Sequence, residues 1–142
     1  MNTIKFIIES NLEDVALIGM SINRLCSLNS VLEQESFKIE LCVVEAINNS
    51  IIHAYENQKG HKIEVNFTLS SNELIIDVYD TGKIMDQEQL KSRNLSAIEI
   101  NPDNLEMALS GRGLAIMKEF MDQVSYKTTD GMNCLSLKKR VT

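Results

Sequence analysis

Apolar and polar positions mix tightly at the start of the chain, and Thr3-Ile4-Lys5-Phe6-Ile7-Ile8-Glu9-Ser10 reads as a strand. Asn11 is placed to cap a following helix, with Asp14 at its third position, where an acid favours the helix dipole. Leu12, Val15, Ala16, Gly19, Ile22 and Cys26 then recur at helical spacing, which predicts a helix to about Leu28. A second helix is expected from Glu33 to Tyr55, a span without Gly or Pro that carries Phe37, Leu41, Val44, Ile47 and Ile51. It should stop in the turn-like Glu56-Asn57-Gln58-Lys59-Gly60.

The period then changes from helical to alternating. Ile63, Val65, Phe67 and Leu69 alternate with polar residues, Ser70-Ser71-Asn72 turns the chain, and Leu74, Ile76 and Val78 alternate again. This predicts an antiparallel hairpin with one buried face. Thr81 to Ser110 has no clean period, beyond short helical pieces around Asp86–Lys91 and Asp103–Leu109 broken by Asn101-Pro102. A stretch of that length inside one domain is expected to act as a lid, over about residues 83–110. Gly111–Asp122 reads as a third helix, and Val124–Thr128, Asp130-Gly131 and Met132–Lys138 as a closing hairpin. Strands that meet through hairpins make a mainly antiparallel sheet. The expected fold is α+β, a two-layer sandwich with helices on one face, in one domain spanning 1–142.

Composition narrows the function classes. The chain has 142 residues, 44% hydrophobic and 24% charged, as in an ordinary globular domain. Its net charge is −6, and its one basic run is Lys138-Lys139-Arg140, so nucleic acid is not the expected partner. A bound nucleotide would need a localised anion site instead. There is neither a membrane-spanning apolar run nor the pattern of a signal peptide, so the expected location is cytoplasmic. Cys26, Cys42 and Cys134 are far apart and odd in number, which suits buried free thiols, not disulfides or zinc.

Three local features carry candidate chemistry. Glu45, Asn49 and His53 lie at i, i+4 and i+8 of the second helix, within an arc of roughly 80°. An unpaired carboxylate there must face water, a partner or a ligand, and a plain solvated helix face accounts for the stripe equally well. Asp80-Thr81-Gly82 places an acceptor at the mouth of a strand, beside a glycine that lets backbone come close; an ordinary turn is the simpler reading. Ser110-Gly111-Arg112-Gly113-Leu114 opens a helix with exposed N–H groups that suit phosphate, or is a purely structural start.

In this order, Glu45-x-x-x-Asn49-x-x-x-His53-Ala54-Tyr55, Asp80-x-Gly82 and Gly111-x-Gly113-Leu114 resemble the ATP site of the histidine-kinase-like ATPase superfamily. The segment Gly113-Leu114-Ala115-Ile116-Met117-Lys118-Glu119-Phe120-Met121-Asp122-Gln123-Val124 is most similar to the bacterial anti-sigma factor serine kinases. The resemblance implies a Bergerat-type ATP-binding fold, ATP and Mg2+ as cofactors, and phosphorylation of a STAS-type anti-sigma-factor antagonist, with sequestration of a sigma factor by a homodimer. Ile4, Phe6 and Ile8 could serve that dimer or simply be core.

Carried over by residue, the resemblance implies that Glu45 is the general base and Asn49 the magnesium ligand. Asp80 would accept from the adenine amine and Gly82 let backbone approach the base, while Gly111, Arg112, Gly113 and Leu114, with Ser110, would hold phosphates. His53 and Ala54 would edge the pocket, and Lys83 would stand at the base of the lid. Cys134 or Ser136 would be the counterpart of a threonine that faces the adenine pocket. Ile84 stands where the superfamily often has a second glycine, and Leu109 where the sporulation-type kinases carry an arginine near the transferred phosphate, so the resemblance supports ATP binding better than phosphoryl transfer. The alternative reading is an ATP-gated regulatory protein-binding module with little or no kinase activity. The catalytic domain of a sensor histidine kinase fits poorly, since only His53 and His61 are present to accept phosphate.

Overall fold

A computed structural model of the chain describes residues 1–85 and 113–142. The expected lid from residue 86 onward, with its short helical pieces, lies outside the described residues. Five strands, β1 (Asn2–Glu9), β2 (Lys62–Leu69), β3 (Glu73–Asp80), β4 (Gln123–Thr129) and β5 (Met132–Arg140), form one antiparallel sheet in the order β1-β2-β3-β5-β4. Among the described residues, helices α1 (Val15–Ser27), α2 (Ser36–Asn49) and α3 (Gly113–Phe120) accompany the sheet in an α+β sandwich. The fold class is as expected from the hairpin pattern.

Register explains where the core lies. Phe6, Val65, Val78 and Leu135 form one cross-strand row, and Ile4, Phe67, Ile76 and Leu137 the next. Val65, Phe67, Ile76, Val78, Leu135 and Leu137 are all buried, because the helices cover this face. Phe6 and Ile8 also pack against the core, while Ile4 on the edge strand is 41% exposed. The inner face of the first strand is therefore mainly core.

The helices depart from the expected stripes. In α1, Ile18 is buried with Val15, Gly19, Ile22 and Cys26, whereas Leu12 precedes the helix in a 3-10 turn and is exposed. Asn11 does cap that turn, its Oδ1 accepting from the Glu13 amide at 3.1 Å. In α2, Ile39, Val43, Ala46 and Ile47 are buried to 1% exposure or less, while Phe37 is 42% exposed. Packed against both α1 and α3, α2 buries a broader face than a single narrow stripe. Asp130 and Gly131 (φ 53° and 77°) close the β4–β5 hairpin as a two-residue loop with positive φ at both positions. The three cysteines are free and buried, and burial pushes the Cys26 and Cys42 thiols up to about 12. Among the described residues no helix is long and apolar enough to cross a membrane.

Candidate functional site

The helix that carries the polar stripe does not end as an α-helix. Ser50–Ala54 is a π turn, closed by the Tyr55 amide donating to the Ser50 carbonyl at 2.9 Å. Such turns break the i, i+4 repeat and recur at functional sites. Here the turn leaves Ser50 buried, with its hydroxyl donating to Asp80 Oδ2 at 2.8 Å. At its end, the Ala54 carbonyl accepts from the Lys83 amide at 2.8 Å.

Asp80 is the centre of the arrangement. It ends β3 on the inner face, 7% exposed. Its Oδ1 accepts from Asn133 Nδ2 at 2.7 Å and from the Gly82 amide at 3.1 Å, and its Oδ2 from Ser50. A carboxylate offers about four acceptor positions, so one remains open on Oδ2. Asn133 is held in turn: its Nδ2 also donates to the Gly82 carbonyl at 3.0 Å, and its Oδ1 accepts from Thr128 Oγ1 at 2.7 Å. Asp80, Asn133 and Thr128 are opposite one another in the ladder, so the apolar rows of the sheet end in a polar one.

Against this row lies a cavity of about 310 Å³, near the lower end of small-molecule sites at roughly 300 Å³ and above. Asn49, Ser50, His53 and Asp80 give it polar walls, Ala46, Ala54, Ile84, Met85, Tyr126 and Leu135 mostly apolar ones, and Lys83 a cationic side chain. Tyr126 also accepts from the Met85 amide through its hydroxyl, at 2.9 Å. The chain leaving β3 is thus fastened on two sides of the cavity, to Ala54 and to Tyr126. Below Gly82, Tyr55 receives the Thr81 amide on its hydroxyl at 2.9 Å and stacks on His61.

Several expected residues meet here and others do not. Asn49, His53, Ala54, Asp80, Lys83 and Ile84 all line the cavity. Gly82 does not, and the reason for a glycine is different: a Cβ there would run into the Ala54 carbonyl. Glu45 also stands apart from the cavity wall. Its carboxyl lies against the start of α3, where a Cβ on Gly113 would come within 2.5 Å of Oε2, and burial pushes its pKa up to about 7. Leu114 lines a second cavity of about 180 Å³ that shares Tyr126 and Leu135 with the first. Ser110, Gly111 and Arg112, together with Leu109, lie outside the described residues.

The β5 expectation needs correcting. Asn133 and Leu135 reach the cavity side, whereas Cys134 and Ser136 pair with Tyr79 and Asp77 on the opposite face of the sheet. Strand alternation forbids both sets from sharing a face. Asn133, Ser50 and Tyr126 are the residues that sequence reading missed. The available signal was Asn133 itself, a polar residue in phase with the apolar Leu135 and Leu137.

An antiparallel sheet, a helix layer and a buried, hydrogen-bonded carboxylate at the mouth of a cavity define an α+β sandwich domain with a polar-rimmed cavity. The chain belongs to the family of histidine kinase-like ATPase domains, whose model matches residues 8–139. It is similar to the anti-sigma F factor of a Thermoanaerobacter species, 32% identical over 102 residues covering 72% of this chain and 67% of the relative. A second anti-sigma F factor, from Caldanaerobacter subterraneus, matches at the same identity over 102 residues. The serine-protein kinase RsbW of Listeria innocua is 28% identical over 125 residues, covering 84% of this chain and 78% of the relative.

Proposed function

We propose that the chain is an ATP-binding serine-protein kinase of the anti-sigma factor type, which phosphorylates an anti-sigma-factor antagonist and sequesters a sigma factor. The observation that carries the ATP site is Asp80: a buried carboxylate, held by Ser50, Asn133 and the Gly82 amide, keeps one acceptor position beside the cavity. A donor edge such as the adenine amine satisfies it, whereas a carbonyl edge sets two acceptors against each other. The names of the similar proteins support a protein serine as the phosphate acceptor and a sigma factor as a partner.

Asn49 is the proposed magnesium ligand. It lines the cavity, and its side chain has no hydrogen-bond partner among the described residues, which suits a hard cation that takes one protein oxygen and completes its shell with water and phosphate. When bound, the ion would supply charge neutralisation at the phosphates. Glu45 is the proposed general base: it takes the proton of the substrate serine hydroxyl as the serine oxygen bonds to the γ-phosphorus. The bond from that phosphorus to the β–γ bridging oxygen breaks, and ADP leaves. Ser110, Gly111, Arg112, Gly113 and Leu114 are the proposed phosphate loop, within a lid over about 83–110. A STAS-type antagonist, homodimerisation and a cytoplasmic location complete the reading.

Incubation with Mg-ATP and an antagonist that the protein binds tests it directly. Phosphoserine on the antagonist is expected; no transfer to any antagonist it binds would sink the kinase reading. The alternative, an ATP-gated binding module, draws on the Lys83 and Met85 amides, which donate to the Ala54 carbonyl and the Tyr126 hydroxyl at the cavity wall, where the proposed lid begins. Partner affinity that is equal with ATP, with ADP and without nucleotide would exclude it.

A further inference from the structure

We infer that Gly113 positions the Glu45 carboxyl, a role separate from any contact its own amide makes with phosphate. The inference rests on the kinase reading of Glu45. Three glycines in the described chain leave no room for a Cβ, and each is crowded by something different. At Gly19 the obstruction is Val44 Cγ2 at 2.8 Å, and at Gly82 it is the Ala54 backbone. At Gly113 it is a carboxylate oxygen, Glu45 Oε2, at 2.5 Å, with Glu45 Cβ and Cδ at 3.5 Å.

What yields when a methyl group is added follows from what is anchored. Helix α3 is held: Ile116 and Met117 are fully buried, Lys139 Nζ donates to the Phe120 carbonyl at 2.6 Å, and the Asp122 amide donates to the Lys138 carbonyl at 2.9 Å. Helix α2 is held on either side of Glu45 by Val43, Ala46 and Ile47, all buried. The free end of the Glu45 side chain is the one flexible part of the contact. Gly113 has no positive φ, and alanine is the better helix former, so the backbone accepts the change. The methyl group therefore displaces the carboxyl, which is the group proposed to accept the substrate proton.

The test is Gly113→Ala. It should fold normally, yet at saturating Mg-ATP, where any change in affinity drops out, transfer phosphate on the order of 100-fold more slowly in a single turnover, the scale of lost general-base catalysis. A second readout needs no transfer at all. Carbon-13 NMR titration of the Glu45 carboxyl should give a pKa different from the parent's in Gly113→Ala, because the burial that raises it changes when the group is displaced. An unchanged Glu45 titration overturns the inference, as does an unchanged transfer rate at saturating Mg-ATP, which would assign Gly113 to the phosphate loop alone. If the parent protein transfers nothing but the Glu45 titration moves, the positioning stands and the kinase reading fails.

Discussion

The Asn133 side-chain amide donates to Asp80 Oδ1 at 2.7 Å and to the Gly82 carbonyl at 3.0 Å, so one β5 residue fixes both the proposed adenine acceptor and the turn beyond it. Asn133 is 1% exposed, and water cannot replace it cheaply. Asn133→Ala should cost about 1–3 kcal/mol of stability, because it strips a donor from a buried carboxylate and an acceptor from Thr128. ATP affinity should fall roughly tenfold as Asp80 loses its fixed orientation. Denaturant unfolding and calorimetric titration read the two effects separately.

Asp80→Asn keeps the shape and changes the donor pattern. Either orientation of the new amide turns an N–H₂ group toward donors: Asn133 and the Gly82 amide on one side, Ser50 on the other. Only the Ser50 hydroxyl can rotate to accept, and the amide then has no acceptor left for adenine. ATP binding weaker by about tenfold or more is expected. Unchanged binding in a titration with Mg-ATP would mean that Asp80 does not meet the base.

Glu45 links pH to rate and to stability with opposite signs. Burial raises its pKa from the ordinary 4.5 to about 7, so the base form, and with it phosphoryl transfer, should increase as pH rises through about 7. The folded state binds this proton more tightly than the unfolded state does. Its contribution to stability is therefore complete below about 4.5 and is lost as pH climbs to about 7. Glu45→Gln should remove that loss, unfolding at a higher temperature than the parent above pH 7 while transferring no phosphate. Melting curves across the pH range check the first part.

Gly82→Ala should behave unlike Gly113→Ala. Its added methyl group meets the Ala54 carbonyl, and backbone cannot swing aside as a carboxyl can. A loss of about 1–3 kcal/mol, typical of overpacking, is expected in denaturant unfolding, with weaker ATP binding as the Lys83 amide leaves Ala54.

Asn49→Ala should leave magnesium-free ATP binding nearly unchanged and reduce the gain in affinity that magnesium brings. Paired titrations with and without the metal decide it. An equal magnesium effect in both proteins would remove Asn49 from the metal site.

Much of this molecule is legible along the chain. Alternation in Ile63–Leu69 and Leu74–Val78, with a two-residue turn at Asp130-Gly131, is local information, because side-chain period and turn conformation depend on near neighbours. That was enough for the hairpins and the α+β class, while Asp80 and Asn49 stood out through the resemblance of their motifs. What depended on tertiary structure was which distant groups meet. The π turn that aims Ser50 at Asp80, the register that sets Asn133 and not Cys134 beside it, and the contact of Gly113 with Glu45 all arise from packing between elements. Ladder register shifts a side chain from one face to the other in a single residue, and nothing local to Asn133 records which residue of β3 it will face.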